Sequence, residues 1–165
     1  MRKLTYALTV LAALVATSYA VADGIEGAKS ANAVAGTFTA SGVNTSSRTC
    51  TTADGKTVVV TDGKYTGAAT GDADLTGNIT LRARSIVNTT DNVGVVSGQF
   101  SIDTTGRDTR GWYSAVYDHG NIAGLAVGRA HDPSARLVAN LSAGFAPGSF
   151  TSGKFGGGTS GGSAK

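Results

Sequence analysis

The stretch Leu75-Thr76-Gly77-Asn78-Ile79-Thr80-Leu81-Arg82-Ala83-Arg84, with Val96-Ser97-Gly98-Gln99-Phe100-Ser101-Ile102-Asp103 after it, decides the fold. In each, apolar residues or glycine alternate with polar ones, the period of a strand with one buried and one solvated face. Leu81 and Phe100 fall on the apolar faces, Arg82 and Arg84 on the polar one. Between them Asn88-Thr89-Thr90-Asp91-Asn92 reads as a turn, too short for a crossover, so the two strands form an antiparallel hairpin.

The same period runs outward in both directions. Gly111–Asp118, Ile122–Arg129 and Leu137–Phe145 read as strands, with a tight turn at His119-Gly120-Asn121 and another at Asp132-Pro133-Ser134. Upstream, Thr37–Val43, Arg48–Thr52, Thr57–Thr61 and Tyr65–Ala69 are shorter candidates, and Asp54-Gly55 and Asp62-Gly63 are hairpin-turn signals. Phe150–Phe155 is a candidate last edge strand. No segment reads as a helix; Glu26 is the only glutamate and Met1 the only methionine. The expected fold is all-β, a single antiparallel up-and-down β-barrel of roughly 8–10 strands, because consecutive hairpins pair as neighbours and closure removes exposed edges. A β-sandwich is the alternative. The recurring pattern at Gly77-Asn78-Ile79 and Gly98-Gln99-Phe100 is similar to small secreted barrels of the calycin kind, a likeness of strand pattern that brings no site residue with it.

The ends read differently. Arg2 and Lys3 precede an uncharged apolar run, Leu4–Ala16, with small residues at Ala20-Val21-Ala22, the layout of a cleavable export signal over 1–22. The run is short for a membrane span. Residues 23–35 read as a flexible spacer, 36–155 as the all-β domain, and 156–165 (GGGTSGGSAK) as a disordered Gly/Ser tail. The expected residence is secreted or periplasmic, with no membrane span in the mature protein. Losing Arg2 and Lys3 leaves 12 basic against 11 acidic residues, so the basic pI does not point to nucleic acid.

No nucleophile–base or metal-ligand pattern stands out, so no catalytic residue, metal or cofactor is assigned and the reading leans away from an enzyme. Asp118-His119 and His131-Asp132 are sequence neighbours, which on a strand point to opposite faces and form no dyad. Cys50, the only cysteine, reads as a small buried hydrophobe. The candidate binding residues are Arg110, Trp112, Tyr113 and Tyr117, a cluster suited to stacking on a sugar or anchoring a protein, and Arg82 with Arg84, a pair able to hold an anion. Within that cluster Trp112 is expected to cap the core. The function expected is an exported, non-enzymatic β-domain with a structural or surface-interaction role toward a cell-surface, protein or small-ligand partner. A small-ligand-binding barrel is the alternative, with room left by inward Gly77, Gly98, Ala139 and Ala143, and an unrecognised hydrolase comes third.

Overall fold

The computed structural model describes residues 31–104, 107–130 and 135–160. They form one closed antiparallel barrel, each strand pairing with the next: β1 (Ala31–Thr51), β2 (Thr57–Gly71), β3 (Gly77–Asn88), β4 (Val93–Thr104), β5 (Arg107–Asp118), β6 (Asn121–Arg129), β7 (Arg136–Ala146) and β8 (Ser149–Ser160), which returns to β1. A 3₁₀ turn, Ala73–Leu75, seats Leu75 in the interior. The sandwich alternative falls away.

The period-two faces land as the sequence dictates. Leu81 sits opposite Phe100 and both are buried, while Arg82 and Arg84 point outward. The interior is packed with rings. Phe150 contacts Tyr65, Phe145, Tyr113 and Phe38 at centroid separations of 4.9, 4.9, 6.4 and 6.4 Å, and Phe38 stacks on Phe155. Several inward glycines make room for these rings. Gly98 lies across from Tyr113, Gly111 from Phe100 and Gly153 from Phe38. A Cβ on Gly111 would lie 2.6 Å from the Phe100 ring, and one on Gly153 would lie 2.3 Å from the Phe38 ring. Glycine across from an aromatic lets a small barrel bend sharply and still fill its centre.

Three local readings change. Asp62-Gly63 is no turn: β2 runs straight through it. Gly63 is there because the Tyr65 ring lies where its Cβ would be, and Asp62 faces outward to Arg84. The two short candidates at 37–43 and 48–52 are one strand, β1. Pairing also extends into the stretches read as spacer and tail, since Ala31–Ala35 lie against Gly156–Ser160. There β8 is narrow enough for close approach: a Cβ on Gly157 would lie 2.1 Å from the Val138 carbonyl oxygen. The segment read as an export signal lies outside the described residues.

Closure is staggered. Followed strand by strand, the row that leaves β1 at Arg48 passes Val60, Ile86, Val95, Val116, Ala123, Ser142 and Lys154 and re-enters β1 at Thr37. Tilted strands require such an offset. It leaves the end of β1 beyond the start of β8. Pairing with β8 stops at Ser41, apart from Gly42 N–H donating to Gly148 at 2.7 Å, and the rest of β1 pairs only with β2. Cys50 lies on this projecting arm and is exposed, not buried. It is therefore expected to react with a thiol reagent in the native protein as fast as in the unfolded chain. Protection until unfolding would contradict the exposed arm.

Candidate functional site

The structure separates the Arg110–Tyr117 cluster onto two faces. Tyr113 and Tyr117 point inward, and Arg110 and Trp112 point outward. Trp112 does not cap the core; it is 61% exposed. Tyr117 is half-buried, packs edge-on against Phe145 and donates a hydrogen bond to Asn92. Arg84 is occupied: its Nε and Nη2 donate to the Asp62 carboxylate at 2.7 and 3.1 Å. That guanidinium holds the Asp62 carboxyl below the usual carboxylate range. Arg110 donates to Asp108. Of the six candidates, Arg82, Arg110 and Trp112 share one groove on the outside of the barrel, of about 1130 Å³.

Register explains what else comes to that groove. On β5, β6 and β7, Arg110, Arg129 and Arg136 stand abreast. Neighbouring strands lie ~4.8 Å apart, and like charges directly opposite repel. Two residues along, the next row is Lys64, Arg82, Gln99, Trp112, Val127 and Val138. The groove is thus lined by five cations, Lys64, Arg82, Arg110, Arg129 and Arg136, and one carboxylate, Asp108. Among the described residues, only Arg110 of the five has an acidic partner.

No family model matches this chain, and no curated protein and no solved structure matches it significantly. The site is therefore read from its own chemistry.

Beyond the groove, the outer wall is apolar to an unusual degree. Of nine large hydrophobic side chains exposed among the described residues, eight lie on β3–β7: Ile86, Val93, Val95, Trp112, Val116, Leu125, Val127 and Val138. They fall in two groups, with Arg84, Ser97, Ser114 and Asn140 in the row between and Leu125 linking one group to the other. Val127 lies between Trp112 and Val138, and Val95 between Ile86 and Val116. Scattered surface hydrophobics need no explanation, but a contiguous patch marks a contact site. Arg129, Arg136, Val127 and Val138 escape a strand-by-strand reading, because only the register of three strands brings them beside Arg110 and Trp112.

Elsewhere the chemistry is thin. Asp118 and His119 do meet, Oδ1 to Nδ1 at 2.5 Å, because His119 takes φ 46° in the hairpin turn and so escapes the strand's alternation. Both side chains are exposed and neither lines the groove. His131 and Asp132 lie outside the described residues. Among the described residues no group of His, Cys, Asp and Glu is arranged to hold a metal ion.

Inside the barrel, the Tyr65 and Tyr113 hydroxyls are buried without a hydrogen-bond partner among the described residues. Burial pushes the pKa of both phenols up, that of Tyr113 further through its neighbour Tyr65. Above pH ~10 the unfolded chain releases phenolic protons that the folded chain keeps, so stability falls as pH rises. In an alkaline titration, two of the five tyrosines are expected to ionise only together with loss of near-ultraviolet circular dichroism. Full tyrosinate absorbance in a still-folded protein would show that these hydroxyls are not enclosed.

Proposed function

We propose that this chain is an exported, non-enzymatic β-domain that works by surface contact at or outside the cell envelope, through the outer wall of β3–β7. The observation that carries the reading is the concentration of exposed apolar side chains there, eight of nine, beside the cationic groove. A wall of this kind costs solubility and adds nothing to the core, which the rings already fill. The alternative of a small-ligand barrel finds no support in that interior: Gly98 lies across from Tyr113, and the groove opens on the outside. The export segment enters this reading from the sequence alone.

The test is retention on isolated cell envelopes. Trp112→Ser with Val138→Ser changes only exposed positions, so circular dichroism should be unchanged while retention falls at least ten-fold. Equal retention of the folded double variant would remove this wall from the function.

A further inference from the structure

We infer that the partner of this wall is an anionic lipid surface, to which the barrel docks side-on without crossing. The inference rests on the surface-contact reading above. It is carried by the order of the rows. Arg110, Arg129 and Arg136 form one margin. Two residues further along the strands come Trp112, Val127 and Val138. Beyond them lies Leu125, between Ser114 and Asn140, then Val116 beside Val95. Successive rows on one face are ~6.7 Å apart along a strand. The sequence of charge, indole and aliphatic side chains repeats the order met on passing from lipid phosphates through the interface into the hydrocarbon edge.

Each part alone would fit other partners. A soluble polyanion would satisfy the arginines but would leave Leu125, Val127 and Val138 in water. A neutral protein surface would cover the aliphatic side chains but would bury three abreast guanidinium groups with Asp108, held by Arg110, as their only counter-charge among the described residues. Lipid phosphates supply that charge and the acyl region takes the rest.

The wall is not that of a spanning barrel. A spanning barrel is apolar outside all round and polar within. Here the interior is aromatic and aliphatic, and Asp62, Lys64, Arg82 and Arg84 occupy outward mid-strand positions on β2 and β3. Among the described residues the exposed large apolar side chains lie on β3–β7 with Val43 alone elsewhere, so they do not run all round the barrel.

Trp112 is the only tryptophan, so its emission reports this wall in the full chain. Mixed with vesicles of phosphatidylglycerol and phosphatidylcholine, the protein is expected to co-sediment, with Trp112 emission shifted to the blue and shielded from acrylamide. Vesicles of phosphatidylcholine alone should do neither, and raised salt should reverse binding. Arg129→Ala with Arg136→Ala should weaken partitioning roughly thirty-fold, from about 1 kcal/mol per basic residue at an anionic surface. Arg129→Lys with Arg136→Lys should retain most of it. Co-sedimentation with unmoved Trp112 emission would place binding elsewhere, such as the apolar run Leu4–Ala16, and overturn the inference. A blue shift with a sulfated polysaccharide but not with vesicles would also overturn it, as would a concentration-dependent shift without lipid, which marks a second copy on the wall. In those two cases surface contact stands and only the lipid is lost. Trp112 emission unmoved by vesicles, polysaccharide and cell envelopes alike would end both readings.

Discussion

Replacing Phe150 with alanine is expected to cost the fold about 3–5 kcal/mol, the range for removing a large buried ring. Phe150 is 1% exposed and is the one ring that meets Phe38, Tyr65, Tyr113 and Phe145 together, so its removal opens a hole at the meeting point of β1, β2, β5 and β7. The surrounding rings cannot collapse into that hole easily, because their strands are fixed by pairing on both sides. Urea denaturation followed by tyrosine absorbance and by circular dichroism measures the loss. Phe150→Leu should recover more than half of it. A loss below about 1 kcal/mol would mean that the barrel's centre is loosely filled, and the small-ligand alternative would regain its main requirement.

Gly98→Ala adds one methyl group and is expected to destabilise nearly as much, at or beyond the upper end of the roughly 1–3 kcal/mol seen for overpacked sites. The added Cβ would sit 1.8 Å from the Arg82 carbonyl oxygen and 3.0 Å from the Ala83 Cα, both backbone atoms of β3. Neither can move without breaking the β3–β4 ladder. Gly156→Ala is the control. Nothing lies within 4 Å of its added Cβ, and the change should stay within about 0.5 kcal/mol. If the two substitutions cost the same, the close approach of Gly98 to the β3 backbone is not a feature of the folded protein.

These two positions also show what a sequence can disclose. Leu81, Phe100 and Arg82 take the faces assigned by alternation, because register within a strand is local and a slip by one residue would invert every side chain. Asp62-Gly63 misleads because glycine serves two purposes with one signature. At a turn it supplies positive φ; in β2 it clears space for a ring two residues away. Trp112 misleads because size and apolarity argue for burial, whereas its parity with Arg110 places it outside. That parity was legible. The row Arg110, Arg129, Arg136 was not, since it needs the register of two hairpins and the loop between β6 and β7. The exposure of Cys50 follows from the stagger of the closed sheet, a property of all eight strands together.

The seam between β1 and β8 has a consequence for the order of events in folding. Ala31 pairs with Ser160, so the first described strand finds its second neighbour only in the last. Each hairpin from β2 to β7 can form as soon as its two strands exist, but the ring cannot shut until the far end of the chain is free. Contacts of such long sequence separation are slow to form. Until then β1 and β8 are both unpaired along the edges that will meet, and a chain halted before β8 would expose Phe38 and Phe100 to whatever stands nearby.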